Sequence, residues 1–258
     1  MNQKRMNNRG QVTVFIIIAI IIVAIGLLIY SFYPQITSTF SGEEKNPPAY
    51  IQACIEGKIQ DTVESISLQG GVMNPMNSIL YNDTQVEYLC YTEEYYVPCV
   101  VQQPMLKTHI EKEIEAEINN DVESCFNSMK ESYEKKGYIA QLKSGEKKVE
   151  LYPERIISIF NYSLTLTRGE DTQKYNSFVV VLNNNLYELV SIANNIIEWE
   201  TLFGDAETTT YMTYYHDLKV EKNLRGSNGK IYVLTNRNTG DKFQFAIRGQ
   251  IMPAGIVK

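Results

Sequence analysis

The sequence predicts an α+β protein with an N-terminal transmembrane helix, followed by an ectodomain in which amphipathic helices pack on an antiparallel sheet. Three observations lead to this fold class. A run without charged residues extends from Gly10 to Gly42 and contains an isoleucine-rich stretch from Val12 to Tyr30. Apolar residues recur every three or four positions in three later segments, which is typical of amphipathic helices. Elsewhere the period falls to two, which is typical of strands.

The isoleucine-rich stretch is long enough to cross a bilayer. At about 1.5 Å per helical residue it reaches roughly the 30 Å thickness of the hydrocarbon layer. Lys4, Arg5 and Arg9 precede it without any acidic residue, and this charge bias places the N-terminus in the cytoplasm. We therefore expect a single-pass protein of the cell membrane with a basic leader at 1–10, a transmembrane helix at 11–33, a stalk at 34–48 and an extracytoplasmic α+β domain at 49–258.

A short motif marks the start of the span. Arg9-Gly10-Gln11, followed by an apolar helix, resembles the class III signal of archaeal pilin-like proteins. The resemblance implies cleavage after Gly10, with Gln11 as the first mature residue, and assembly into a filament of identical subunits. Phe15 departs from the pattern, because pilins usually carry a glutamate there. An uncleaved signal anchor is the alternative interpretation.

The ectodomain is acidic. The whole chain carries a net charge of −6 and the leader carries +3, which leaves −9 outside the membrane. This charge argues against nucleic acid as a partner. Roughly 210 residues are enough to bury a core in one or two domains.

The helices of the ectodomain follow from its apolar stripes. The first begins near Ala49 and ends at Gly70-Gly71, and the second begins at Pro104 and ends at Gly137. A third covers 187–202. The acidic side of the second helix is expected to be solvated rather than to hold a metal ion, and it carries Glu111, Glu113, Glu115, Glu117 and Asp121.

Strands are predicted from alternation and turn residues. Between the second and third helices an antiparallel meander is expected from strands at 138–142, 148–152, 155–167 and 177–182. Short extended arms are expected at 87–91 and 95–97. Three further strands are expected at 218–221, 230–235 and 242–248, joined by Gly- and Asn-containing hairpin turns.

The order of these elements, from the basic leader to the last hairpin, is similar to that of a group of single-span exported proteins of small-genome archaea. The resemblance implies an extracytoplasmic domain with paired cysteines, and no catalytic residue is carried over from it.

The four cysteines all follow the span, in a compartment where disulfides persist. Three pairings are open, of which we favour Cys54 with Cys125 and Cys90 with Cys99. The first pair would join the two helices, and the second would close a short Pro-containing loop. A zinc site is disfavoured because no CxxC pair occurs.

No motif identifies a reaction, so we expect neither catalytic residues nor a cofactor or metal ion. Signatures for zinc proteases, nucleotide triphosphatases and dinucleotide-binding enzymes do not occur in the sequence. A membrane-anchored hydrolase using His216 is the enzymatic alternative, although no nucleophile elbow accompanies it. The other imidazole, His109, is expected to lie at the surface.

Two sequons are candidate glycosylation sites: Asn82-Asp83-Thr84 in a polar loop, and Asn161-Tyr162-Ser163 in a predicted strand. The chain also contains 18 tyrosines, among them Tyr211, Tyr214 and Tyr215, which suit recognition where they are exposed. We expect a surface protein that contacts the bilayer through its N-terminal helix and an unidentified protein or glycan through its ectodomain.

Overall fold

The computed structural model describes residues 46–226 and 229–249. In these residues no helix combines the length and the hydrophobicity needed to cross a membrane. The predicted leader, the transmembrane helix at 11–33, the Gly10-Gln11 processing site and most of the stalk lie outside the described residues.

Four helices are present in the described part of the chain. They are α1 (Pro47–Leu68), α2 (Leu106–Lys135), α3 (Leu186–Phe203) and α4 (Thr208–Tyr214). The first three correspond to the three predicted stripes. Helix α1 begins two residues before the expected boundary, because prolines are compatible with a first helical turn whose N–H groups have no intrahelical acceptor.

Helix α2 lies at the centre of the core. Its apolar stripe is buried along its whole length, from Leu106 to Tyr133. It packs against α1 on one side and against strands β4 (Ile139–Lys143) and β5 (Lys147–Tyr152) on the other. Burial of these side chains stabilises the fold by roughly 25 cal/mol for each Å² of apolar surface that is removed from water.

The predicted meander follows α2 and is bent in the middle. Besides β4 and β5 it contains β6 (Arg155–Phe160), β7 (Ser163–Arg168), β8 (Asp171–Tyr175) and β9 (Phe178–Asn183). These form two antiparallel three-stranded sheets with the orders β4-β7-β8 and β5-β6-β9. The strands that follow one another as β4 and β5, β6 and β7, and β8 and β9 therefore lie in different sheets, one strand of each pair in each sheet.

The bend lies where the 144–146 and 161–162 connections touch. The backbone N–H of Asn161 donates to the Glu146 carbonyl oxygen at 2.8 Å, and a Cβ atom at Gly145 would come within 1.9 Å of the Asn161 carbonyl oxygen. Only glycine permits this approach. Beside it, the buried Tyr162 ring stacks on Phe126 of α2 with a centroid distance of 4.0 Å.

This bend corrects one predicted strand. We expected 155–167 to be a single strand containing Asn161, whereas the strand is interrupted at Asn161 and Tyr162. Strand β8 was not predicted, since its exposed residues 171–174 are polar and show no apolar alternation.

A larger sheet is built from the two ends of the described domain. Its strand order is β1-β2-β12-β11-β10, with β3 beside β2. The strands are β1 (Ser78–Tyr81), β2 (Thr84–Tyr91), β3 (Val100–Val101), β10 (Leu218–Leu224), β11 (Lys230–Asn236) and β12 (Lys242–Arg248). All neighbours are antiparallel except β2 and β12, which are parallel. The predicted α+β class with mainly antiparallel sheets is confirmed.

Two short elements differ from expectation. The segment 95–97 is a turn, with Tyr96 at a φ of 66°, and the strand after it is Val100–Val101 instead. The β1-β2 hairpin was not predicted, because its two-residue turn consists of Asn82 and Asp83, both at positive φ, in place of the more recognisable Asn-Gly.

All four cysteines form disulfides, and the pairs are the two favoured from the sequence. Cys54–Cys125 joins α1 to α2 with 6.0 Å between the Cα atoms. Cys90–Cys99 closes the loop between β2 and β3 with 5.4 Å between the Cα atoms. The cysteines of the first bond are 71 positions apart in the sequence and those of the second only 9.

Removing the longer crosslink should destabilise the protein more than removing the shorter one. For C54S/C125S we expect the free energy of unfolding to fall by about 4 kcal/mol, since the entropy lost by the unfolded chain grows with loop length. For C90S/C99S we expect a loss of about 2.5 kcal/mol. Guanidinium unfolding of the full chain in nonionic detergent measures both values, and an equal or reversed order would contradict the expectation.

Candidate functional site

A groove lies between the beginning of α3 and the segment that joins α4 to β10. It encloses about 540 Å³, which is within the usual range of roughly 300–1,000 Å³ for ligand sites. Its lining consists of Tyr187, Glu188, Leu189, Ser191, Ile192, Tyr214, Tyr215, His216, Asp217, Leu218 and Asn236.

Backbone and side-chain hydrogen bonds fix the wall opposite α3. The Tyr211 hydroxyl of α4 donates to Asn195 Oδ1 of α3 at 2.7 Å. The N–H of Tyr215 donates to the Tyr211 carbonyl, and that of Leu218 donates to the Tyr215 carbonyl. The N–H of Arg237 donates to the Asp217 carbonyl at 2.7 Å. The groove is therefore a preformed feature of the fold.

The groove combines an apolar floor with an aromatic rim. Leu189 and Leu218 are buried at its base. Tyr214 and Tyr215 keep 78% and 55% of their surface exposed. Exposed tyrosines offer a large contact area with a polar tip, and they are frequent where proteins bind other molecules.

The structure places His216 on this groove but does not assemble a catalytic triad around it. Among the described residues the His216 ring makes no hydrogen bond or ion pair. The hydroxyl of Ser191, on the facing wall, donates to the Tyr187 carbonyl at 2.9 Å. A triad requires hydrogen bonds from nucleophile to histidine and from histidine to acid. Here His216 contributes to the lining of a groove.

The second histidine does not belong to this site. His109 lies in the first turn of α2, and its Nε2 atom is buried without a hydrogen-bond partner in the described residues. The expectation of a surface histidine is therefore wrong for this ring nitrogen, because the packing around the start of α2 covers it.

A second cluster of titratable groups lies at the other end of α3. Glu200 is only 1% exposed. Its carboxylate accepts from Lys230 Nζ at 2.7 Å, from the Ala206 N–H at 3.2 Å and from the Tyr232 hydroxyl. Burial, followed by the neighbouring Glu200 charge, raises the pKa of Tyr232, so the phenol stays protonated and donates.

The cluster extends to the surface through Asp205. Lys230 and Lys222 both lie 2.9 Å from Asp205 Oδ1. Partial burial raises the pKa of Asp205, but hydrogen bonds from the two lysines outweigh it and lower that pKa overall. Each buried charge thus has a partner, and the cluster fastens the end of α3 to strands β10 and β11. Fully satisfied networks of this kind are structural more often than catalytic.

The acidic side of α2 is less solvated than expected. Glu111 accepts from the Leu151 N–H at 2.8 Å and Glu113 accepts from the Met73 N–H at 3.0 Å, because the long helix touches β5 and the 69–77 loop. In the described residues no group of three or more His, Cys, Asp or Glu side chains could hold a metal ion.

The two sequons both lie at exposed positions. Asn82 is at the tip of the β1-β2 hairpin, and Asn161 is at the meander bend. The strand location that we predicted for Asn161 is therefore wrong, because Gly145 allows the two connections to meet there. Sequence reasoning singled out Tyr211, Tyr214 and Tyr215 but missed α4. The signal for α4 was Glu207, whose side chain accepts from the Thr209 N–H at 3.1 Å as the helix N-cap.

Comparisons with protein-family models, with curated proteins and with solved structures gave no match.

Replacement of Glu200 by alanine should lower the free energy of unfolding by about 3–5 kcal/mol, because it removes the buried carboxylate that accepts from Tyr232 and leaves the Lys230 charge with only the exposed Asp205 carboxylate as a described ionic partner. Asp205→Asn is the matched control. Its side chain is 62% exposed, so we expect a loss of at most about 1 kcal/mol. Chemical unfolding at neutral pH measures both, and equal losses would contradict the structural role of Glu200.

Acid titration of the same variants tests the charge on Asp205. Because the pKa of Asp205 is lowered on folding, its contribution is complete above the unfolded value of about 3.9 and fades as the pH falls through the folded value. Asp205→Asn should therefore lose less stability than the parent protein below about pH 4.

Glycan attachment should occur at Asn82 when the chain is exported in a host with N-glycosylation, because a hairpin tip is open to the transferase. Thr84→Ala removes the sequon and leaves the Asn82-Asp83 turn intact. Glycopeptide mapping should find modified Asn82 in the parent protein and none in Thr84→Ala. An unmodified Asn82 in an exported protein would contradict the assignment.

Proposed function

We propose that this chain is a non-enzymatic, membrane-anchored protein of the cell surface whose extracytoplasmic domain binds a protein or glycan. The groove between α3 and the 214–218 segment is the binding surface. Val12–Tyr30 is the anchor, and the domain from Pro47 onward is the exported part.

The main support for this proposal is that all four cysteines form disulfides. Cys54–Cys125 and Cys90–Cys99 consume all four thiols of the chain. Disulfides persist in oxidising compartments and are rare in the cytosol. In this sequence a domain with two disulfides follows an apolar segment without charges, and basic residues precede that segment. This order is typical of an extracytoplasmic domain anchored by one N-terminal helix.

The groove supports binding rather than chemistry. Its apolar floor and tyrosine rim offer contact area, and its imidazole is not hydrogen-bonded to a nucleophile or to an acid in the described residues. The net charge of −9 beyond the leader argues against nucleic acid and anionic lipid as ligands.

A pilin-like subunit is the second form of this proposal, and the Arg9-Gly10-Gln11 motif favours it. In that form cleavage after Gly10 releases the basic leader and identical subunits associate through their N-terminal helices. Phe15 lacks the charge that a glutamate would provide for pairing with a neighbouring subunit's amino group.

Membrane fractionation tests the anchor. The full chain, expressed in a bacterial host, should sediment with membranes, resist carbonate extraction and be digested by protease added to spheroplasts. Ile18→Lys/Ile21→Lys should release it, since each lysine near the middle of a span costs about 2.5–3.5 kcal/mol.

The matched control for this experiment is Ile51→Val/Ile55→Val, which keeps the apolar anchor and changes only the core of the domain. Recovery of the parent chain as a soluble cytosolic protein with four free thiols would refute the proposal. Intact mass distinguishes its two forms: loss of residues 1–10 supports the processed pilin-like form, and retention of the leader supports the signal anchor.

A further inference from the structure

The groove is negatively charged on both walls. Glu188 lies on the α3 wall and Asp217 on the opposite wall. In the part of the chain that the structure describes, no lysine or arginine lines the groove, and neither carboxylate forms a salt bridge. Arg237, which follows the lining residue Asn236, directs its guanidinium to the Met212 sulfur 4.0 Å away.

Elsewhere in this protein, lysine and arginine side chains of the same chain lie over tyrosine rings. Arg225 lies 4.8 Å from the ring centroid of Tyr81, and Arg248 lies 5.3 Å from that of Tyr91. Further examples pair Lys136 with Tyr133 and Arg168 with Tyr138. The attraction arises because the face of an aromatic ring is electron-rich.

The three groove tyrosines differ from these pairs. Among the described residues no lysine or arginine lies over Tyr187, Tyr214 or Tyr215. They surround an apolar floor and stand beside the carboxylates of Asp217 and Glu188. Oε1 of Glu188 accepts from the Glu154 N–H at 2.9 Å, and its buried Oε2 has no hydrogen-bond partner in the described residues. Aromatic rings beside carboxylates and apolar side chains stabilise an organic cation with an aliphatic stem.

We infer that the groove binds a lysine- or arginine-bearing segment of a partner protein, with the cationic side chain between the tyrosine rings and the Glu188 and Asp217 carboxylates. The aliphatic stem packs on Leu189, Ile192 and Leu218. The inference rests on the proposed function and narrows its ligand to one chemical class, because charge complementarity favours a basic peptide over a neutral glycan.

Peptide binding to the full chain in nonionic detergent tests this inference. The probe is the peptide Gly-Ser-Lys-Pro-Lys-Pro-Lys-Ser-Gly with an uncharged fluorophore, and the control peptide has glutamine in place of each lysine. Fluorescence anisotropy at physiological ionic strength should show binding of the lysine peptide about tenfold tighter than that of the glutamine peptide.

Matched variants distinguish binding of the lysine peptide in the groove from its non-specific attraction to an acidic protein. Tyr215→Leu and Asp217→Asn should each weaken binding of the lysine peptide about two- to fivefold. Tyr95→Leu is the control for the first, since Tyr95 and Tyr215 are 57% and 55% exposed and Tyr95 follows Glu94. Asp171→Asn, on the exposed strand β8, is the control for the second. Both controls should bind as the parent protein does.

Each outcome is decisive for the inference. Equal binding of the two peptides with loss in Tyr215→Leu would overturn the cationic ligand but leave the groove as a binding surface. Displacement of the lysine peptide by the neutral sugar maltopentaose would overturn it in favour of a glycan. Equal weakening in groove and control variants, or no binding of the lysine peptide, would also overturn it. Failure of the proposed function itself appears separately, as loss of membrane association in the fractionation experiment.

Discussion

Burial of one continuous stripe on α2 is the constraint that organises the domain. Its isoleucines are inaccessible to solvent from Ile110 to Ile118, and a helix of this length can bury such a stripe only when long elements lie along it. Helix α1 covers one side, fixed by Cys54–Cys125. The meander covers the other and is bent at Asn161 and Tyr162, where the Tyr162 ring stacks on Phe126 of α2.

The same residue types serve two purposes in this molecule. At the end of α3, Tyr232, Lys230 and Glu200 satisfy one another in a buried network and hold strands to a helix. At the beginning of α3, Tyr214, Tyr215 and Asp217 line an open groove, and the Glu188 carboxylate beside them accepts from the Glu154 N–H and forms no ion pair within the described residues. The Glu200 cluster therefore has a structural role, whereas the groove keeps exposed aromatic and acidic side chains that form no ion pair in the described residues.

Much of the architecture could be predicted from local patterns. The stripes that begin near Ile51, Ile110 and Leu189 gave three helices within about two residues of their ends, since burial and period agree. The bend at Asn161, the parallel pairing of β2 with β12 and the polar strand β8 depend on contacts between distant segments, which a local period does not encode.

Individual residues of the groove could be predicted from the sequence, but their arrangement could not. Tyr214, Tyr215 and His216 stood out by composition, and the cysteine pairs followed from helix faces and loop length. That Tyr214, Tyr215 and His216 lie across a groove from Tyr187 and Glu188 could not be predicted, because it depends on how α3 crosses the large sheet. Glu200 gave no signal, because a glutamate on a periodic helix is expected to face water.

The position of Cys54, two turns after Pro47, determines how the domain carries mechanical load. Tension that enters along the chain at residue 46 reaches the Cys54–Cys125 bond after unwinding only the first turns of α1, and the covalent link passes it directly to the far half of α2. The segment between these two cysteines, which are 71 positions apart, includes the hairpin and the second disulfide and lies outside the path of force. A chain pulled from the N-terminal side of this bond therefore keeps the segment between the two cysteines unextended, whereas the residues after Cys125 stay in the path of force.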